Sequence, residues 1–79
     1  MSIRRWTASA RAHMLEKHGV KWHEVEEVMS GRPRLFRGRT VRGQRRYQVV
    51  GRTAAARRLR VIVRLEGDTA WAITAYAES

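Results

Sequence analysis

Apolar residues at helical spacing predict two short helices in the first third of the chain. Good helix formers follow Thr7 and Ser9, either of which can act as an N-cap, and Gly19 is a suitable left-handed C-cap. We therefore expect a helix over residues 8–18. A second stripe, with apolar residues three and four positions apart, predicts a helix over residues 21–29. Its members are Trp22, Val25, Val28 and Met29.

The rest of the chain alternates with the period of two that is typical of half-buried strands. In residues 58–65, leucines and valines would lie on one face, and Arg58, Arg60 and Arg64 on the other. The pattern predicts strands over residues 34–37, 45–52, 58–65 and 69–76. This order predicts one α+β domain over residues 1–79, in which two N-terminal helices pack on one face of a three- to four-stranded antiparallel sheet.

The expected burial of apolar side chains predicts the register of the last two strands. A three-residue turn at 66–68 would place Val63 opposite Trp71 and Val61 opposite Ile73 on the core face. The other face would pair Arg64 with Ala70, Arg60 with Thr74 and Arg58 with Tyr76. This register keeps Trp71 away from the arginines, and we expect all three tryptophans, Trp6, Trp22 and Trp71, to belong to the core.

Positive charge is concentrated in the second half of the chain. Residues 32–79 contain twelve arginines, no lysine and three acidic residues, a formal charge of +9. Residues 1–31 carry five basic and four acidic side chains, a charge of +1. Arginine matches phosphate oxygens in pairs and stacks on bases, so the asymmetry predicts a nucleic-acid partner. The alternative is that arginine serves only as a solvated surface cation.

The composition excludes several classes of protein. Without cysteine the chain has neither disulfides nor a thiolate zinc site. No apolar run approaches the ~20 residues of a membrane span and no signal peptide is visible, so we expect a cytoplasmic protein with no membrane partner. Phosphate-binding loops, nucleophile elbows and dinucleotide fingerprints are missing. His18 and His23 are separated by Gly19 and lack metal-ligand spacing, so neither a cofactor nor a metal site is expected.

Short segments, in order, match a known pattern. The sequence KHGVKWHEV at 17–25 is similar to K-H-G-V-x-F-x-E-A, and GRTAAARRL at 51–59 is similar to G-R-[ST]-x-x-G-R-x-L. EVM at 27–29 and ITA at 73–75 resemble E-V-F and a closing I-[IS]-[ST]-A strand, and Trp6 stands eleven residues before Lys17. Together these segments resemble BrnT toxins, small ribonucleases of the RelE/ParE superfamily. The match covers most of the chain from Trp6 to Ala75.

The chain also departs from that family. Thr7, Ala10 and Met14 stand where the family has an acidic residue, a lysine and an asparagine. Tyr76 stands where its closing strand has an arginine, which is closer to a related family of short RelE-like domains.

The resemblance implies a RelE/ParE-like fold and the toxin of a type II toxin–antitoxin system. The implied partners are RNA, in particular mRNA, free or on the ribosome, and a cognate antitoxin protein. Two alternatives stay open: a non-catalytic nucleic-acid-binding module of the same fold, and a small phage or bacterial interaction protein whose charge serves a protein partner.

Metal-independent RNA cleavage needs a base or positioning group for the 2′-hydroxyl, cations around the phosphorane and a proton donor for the leaving 5′-oxygen. Arg60 and Arg64 are the candidate cations. Tyr76 is a candidate proton donor or base-stacking ring, and His18 a candidate acid or base. The structural alternatives are an edge aromatic covering an arginine for Tyr76 and a helix-end contact for His18. Further RNA contacts are expected from Lys17, Arg42, Arg45, Arg46, Arg52, Arg57 and Arg58.

Overall fold

The computed structural model describes residues 3–78, with side chains from residue 6 onward. Residues 1, 2 and 79 of the predicted domain lie outside the described residues. The elements are, in chain order, β1 (Ile3–Trp6), α1 (Ala8–His18), α2 (Trp22–Ser30), β2 (Arg34–Val41), β3 (Gln44–Arg52), β4 (Arg58–Glu66) and β5 (Thr69–Ala77). Among the described residues, no helix is both long and apolar enough to cross a membrane.

The strands form one sheet in the order β1-β5-β4-β3-β2. Strands β2 to β5 are an antiparallel meander, and both helices supply side chains to the core on one side of it. The predicted α+β architecture is therefore confirmed. The structure adds β1, which pairs in parallel with the first half of β5. A segment of four residues is too short to show alternation, and its pairing partner lies at the far end of the sequence.

Local sequence signals determine where the helices begin and end. The Thr7 hydroxyl accepts a hydrogen bond from the Ala10 amide at 3.1 Å, and so caps the N-terminus of α1. Gly19 has a φ of 63° and donates its amide to the Leu15 carbonyl, which ends the helix. At the start of α2 the Glu24 carboxylate accepts the Lys21 amide at 3.1 Å.

Strand β4 provides the centre of the core. Its side chains Leu59, Val61 and Val63 are fully buried, as the alternation predicted. The helices cover them with Met14 from α1 and with Val25 and Val28 from α2. Each of these side chains is at most 2% exposed, so the small core is closely covered.

The predicted register of β4 and β5 is wrong by one residue from Glu66 to Val63 and by two residues from Ile62 to Leu59. Glu66 pairs with Thr69, which leaves the two-residue turn Gly67–Asp68 in place of the expected three-residue turn. Gly67 has a φ of 59°, in the left-handed region that a short hairpin turn requires. In the observed register Arg64 faces Trp71 and Arg60 faces Tyr76.

Small side chains on β5 account for this register. Ala70, Ala72 and Ala75 face the helices and are at most 8% exposed, so α1 approaches β5 closely where an indole would not fit. Trp71 consequently lies on the opposite face. Between Val63–Ala72 and Ile62–Thr74 the register shifts, and Ile73 is the extra residue of this bulge.

Strand β2 is longer than predicted. It continues through Val41, so residues 38–41 extend the strand beyond its predicted end at residue 37. The turn is confined to Arg42 and Gly43, whose φ values of 52° and 76° suit a two-residue hairpin.

Two glutamates of α2 hold the β3–β4 loop. The Arg57 guanidinium donates to both Glu24 carboxylate oxygens at 3.1 Å and to the Gly19 carbonyl at 3.1 Å. Glu27 accepts the Ala54 amide at 3.1 Å. Burial alone would raise the pKa of Glu24, but the Lys21 amide and the Arg57 guanidinium outweigh it, and the pKa lies below its usual value.

Unfolding measurements on two variants test the register. Ala72→Leu overfills the space under α1, and we expect it to lower the free energy of unfolding by about 1–3 kcal/mol. Trp71→Leu changes a side chain on the exposed face, and we expect a loss of at most about 1 kcal/mol. Urea unfolding measures both. A larger loss for Trp71→Leu than for Ala72→Leu would place Trp71 in the core and contradict the observed register.

The Glu24–Arg57 pair predicts a pH-dependent stability. Because the pKa of Glu24 in the folded protein is below 4.5, the pair contributes fully above pH 4.5 and its contribution is lost as the pH falls through the folded-state pKa. We expect Glu24→Gln to lower the free energy of unfolding by about 1 kcal/mol at pH 7, since Arg57 is partly screened by solvent. The difference from the parent protein should shrink below pH 4.5 in urea unfolding at several pH values. Glu26→Gln is the control, and an equal effect of both variants at every pH would refute the prediction.

Candidate nucleic-acid interface

The face of the sheet turned away from the helices carries most of the arginines of the four-stranded meander. We call it the arginine face. Antiparallel partners share a face, so the register assigns its members directly. They include six arginines, namely Arg34, Arg46, Arg52, Arg58, Arg60 and Arg64. They also include three aromatic rings and two carboxylates, namely Phe36, Trp71, Tyr76, Glu66 and Glu78.

Arg60 has the densest set of partners on this face. Its Nε lies 2.5 Å from Glu78 Oε2 and its Nη2 lies 3.0 Å from Glu78 Oε1, a two-pronged ion pair. Its Nη1 donates to Gln48 Oε1, and its guanidinium carbon lies 5.9 Å from the centre of the Phe36 ring. Hydrogen bonding to Glu78 raises the pKa of Arg60, and the same contact lowers the pKa of Glu78. Arg60 is thus held as a fixed, fully charged cation.

Arg64 lies beside a surface pocket at the other end of β4. Its guanidinium lies 5.1 Å from the centre of the Trp71 ring and 2.6 Å from a Glu66 carboxylate oxygen. A pocket of about 450 Å³ opens between Arg64, Trp71, the first turn of α1 and His13. Thr74 also lines this pocket, and its hydroxyl oxygen is buried and has no hydrogen-bond partner among the described residues. The pocket therefore combines a cation, an aromatic ring and polar groups.

Two histidines of α1 reach the border of the arginine face. The rings of His13 and His18 are 5.5 Å apart, and the His18 ring is 5.9 Å from the Tyr76 ring. The sheet topology lets His18 reach Tyr76, because β1 pairs with β5 only as far as Ala72. Beyond that residue no described strand covers the edge of β5.

The structure brings three of the four predicted catalytic residues together. Tyr76 is the cross-strand partner of Arg60 and contacts His18. Arg64 lies four residues along β4 from Arg60, about 13 Å at the rise of a strand. His13 connects the two ends of the site, since it lines the Arg64 pocket and contacts His18.

The residues expected to contact RNA are divided between several places. Three of them share the arginine face, namely Arg46, Arg52 and Arg58. Arg45 precedes Arg46 and therefore points to the opposite side of the strand. Arg42 lies at the tip of the β2–β3 hairpin, and Lys17 is exposed in the last turn of α1. Arg57 is occupied on the helix side by its ion pair with α2.

Sequence reasoning missed three members of this region. Glu78 follows Tyr76 by two residues, so continuing the strand alternation would have placed it beside Arg58 and Arg60. Trp71 was expected in the core, and only the register puts it on Arg64. His13 was not singled out by the sequence pattern. It lies five residues before His18, a spacing that does not indicate helix neighbours.

The other two tryptophans lie on the helix side. Trp6 is half-buried against the core and stacks on Trp22 at 5.7 Å. Trp22 is 40% exposed, and the Arg11 guanidinium lies over its ring at 5.2 Å from the ring centre. The prediction that all three tryptophans are core residues is therefore wrong for Trp22 and Trp71. No group of three or more histidines or carboxylates in the described part of the chain could hold a metal ion.

Comparison with solved structures gives an informative match. No protein-family model and no curated protein sequence matches the chain. The crystal structure of the Brucella abortus ribonuclease toxin BrnT matches it with a TM-score of 0.76, at 18% sequence identity and with 99% of each chain covered. A match this extensive at such low identity shows a common fold. The chain therefore has the BrnT-like fold that its sequence motifs predicted.

Proposed function

We propose that this chain is the toxin of a bacterial type II toxin–antitoxin system, an endoribonuclease that cleaves mRNA without a metal ion. The observation that carries the proposal is the arginine face, which includes Tyr76 and is bordered by two histidines on its α1 side. Its six arginines stand against two carboxylates, which makes it an electrostatic surface suited to a phosphate backbone. The fold of a ribonuclease toxin supports the same function.

We assign the scissile phosphate to the end of the site that contains Arg60. In that reaction the 2′-oxygen attacks phosphorus, its proton goes to a base, and the bond to the 5′-oxygen breaks as that oxygen is protonated. Arg60 would neutralise the charge that develops on the phosphorane. His18 would accept the 2′-hydroxyl proton and Tyr76 would protonate the leaving oxygen, since the His18 ring lies 5.9 Å from the Tyr76 ring and Tyr76 is the cross-strand partner of Arg60.

The neighbouring nucleotide would occupy the Arg64 pocket. Trp71 and Phe36 offer aromatic faces on the same surface, and single-stranded bases stack on such rings. Arg46 and Arg52 would bind flanking phosphates, and Arg58 would join Arg60 at the reacting phosphate. Arg64 therefore acts chiefly in binding, whereas Arg60 acts on the reacting phosphate.

The proposed partner is an antitoxin with an acidic segment. A concentrated positive face attracts a negatively charged protein segment, which would cover the residues needed for cleavage. The setting would be the cytoplasm, where mRNA is available free and on the ribosome.

Incubation of the purified protein with labelled single-stranded RNA in EDTA tests the activity. We expect cleavage, with kcat reduced about 10²- to 10³-fold in Arg60→Ala and about 10²- to 10⁴-fold in His18→Ala. Arg64→Ala should mainly raise KM, by about tenfold, since it removes a charged hydrogen-bonding group from the binding surface.

The matched control is Arg37→Ala, because Arg37 pairs with Tyr47 and so lies on the helix side of the sheet. It removes the same charge and should leave cleavage close to that of the parent protein. Binding that weakens steeply with salt while the RNA stays intact would reject the enzyme in favour of a non-catalytic binding module. A protein that neither cuts nor binds RNA would leave only the interaction-protein alternative.

A further inference from the structure

Glu78 presents its carboxylate to Arg60 in the manner of a bound phosphate. Two oxygens of one anion meet Nε and Nη2 of the guanidinium at 2.5 and 3.0 Å. Phosphate oxygens use the same two-pronged geometry, so the two anions compete for one set of donors. A second cation, Arg58, lies nearby, with its Nη2 at 4.0 Å from Glu78 Oε1.

The pair is held by the sheet and partly shielded from solvent. The Glu78 amide donates to the Arg58 carbonyl at 2.8 Å, which continues the β4–β5 ladder by one residue and fixes the position of Glu78. The side chains of Arg60 and Glu78 are 24% and 23% exposed. By contrast, Glu66 beside Arg64 is 68% exposed, so that ion pair is largely screened by water.

The environment of Arg60 remains suited to an anion if Glu78 moves away. Gln48 still holds Nη1, and the Phe36 ring still supports the guanidinium. Arg58 and Arg60 lie on the same face of β4, two residues apart. Without a carboxylate between them, both would be left without their nearest negative charge.

We propose that Arg58 and Arg60 form a phosphate-binding site whose anion in the free protein is the Glu78 carboxylate, and that an incoming phosphate group displaces it. The assignment of that phosphate to RNA rests on the proposed function. The site itself would also accept inorganic phosphate, because the chemistry recognised is the same. Glu78 thus lowers the affinity of the site for weak, isolated anions and keeps the guanidinium in its binding orientation.

Binding of a fluorescein-labelled 2′-O-methyl RNA, which cannot be cleaved through a 2′-hydroxyl, measures the competition by anisotropy. We expect Glu78→Gln to bind this RNA about tenfold more tightly. The gain corresponds to one charge-assisted hydrogen bond that Arg60 can then make to the RNA instead of to Glu78. The dependence of log K on log salt should steepen by about 0.7, the increment for one further phosphate contact on a single strand. Glu66→Gln, which removes one negative charge from the same face, should tighten binding by less than about threefold.

A double-mutant cycle assigns the effect to Arg60. In an Arg60→Ala background, Glu78→Gln should change RNA affinity no more than Glu66→Gln does. Equal affinities of Glu78→Gln and Glu66→Gln in the parent background would overturn the proposal. A loss of RNA cleavage of 100-fold or more in Glu78→Gln without tighter binding would also overturn it, because Glu78 would then act as the base.

Titration with inorganic phosphate separates this inference from the proposed function. The Nε–H signal of Arg60 in ¹H–¹⁵N spectra should respond at about tenfold lower phosphate concentration in Glu78→Gln than in the parent protein. The spectra also show whether each variant is folded. If no variant binds RNA but the phosphate response follows this order, the site stands and the RNA function fails. If Arg60 responds equally in both proteins, the site assignment fails.

Discussion

The burial of one face of β4 is the constraint on which the rest of the structure depends. Leu59, Val61 and Val63 are fully buried beneath the helices. Since successive side chains of a strand point to opposite faces, the residues between them must lie on the other side. Arginine is tolerated there and would be strongly unfavourable beneath the helices without a buried partner. The hydrophobic effect on one face thus assembles the cations on the other.

Such an assembly places like charges side by side. Arg46 faces Arg64 across β3 and β4, and Arg52 faces Arg58. The face offsets this repulsion with carboxylates and aromatic rings, most closely at Arg60, which contacts Glu78, Gln48 and Phe36. These partners also restrict the rotamers of the guanidinium, so the cations are already oriented before a ligand arrives. The same contacts that stabilise the face therefore prepare it for an anionic ligand.

Arginine has a different role on the helix side. Arg57 links the β3–β4 loop to the junction of the two helices through Glu24 and Gly19. Arg57 finds a carboxylate partner there because α2 contains three glutamates, whereas β4 contributes arginines to the opposite face. A fold shared with BrnT at 18% identity is physically reasonable, since strand alternation and helix spacing constrain residue type more than residue identity.

The sequence alone determined what depends on neighbours along the chain. Thr7 and Gly19 predicted the ends of α1, and the alternation of residues 58–65 predicted which face of β4 is buried and which carries Arg58, Arg60 and Arg64. The family motifs predicted the BrnT-like fold. These features could be predicted because capping and periodicity act within a few residues.

Tertiary structure decided everything that depends on pairing between distant residues. The pairing of β1 with β5, the position of Trp71 on Arg64 and the contact of His18 with Tyr76 have no local signature. The register followed from how closely α1 packs on the alanines of β5, and not from matching the largest apolar side chains across the strands. Packing depends on how well the surfaces of whole helices and strands fit together. Residue type and spacing alone do not describe that fit.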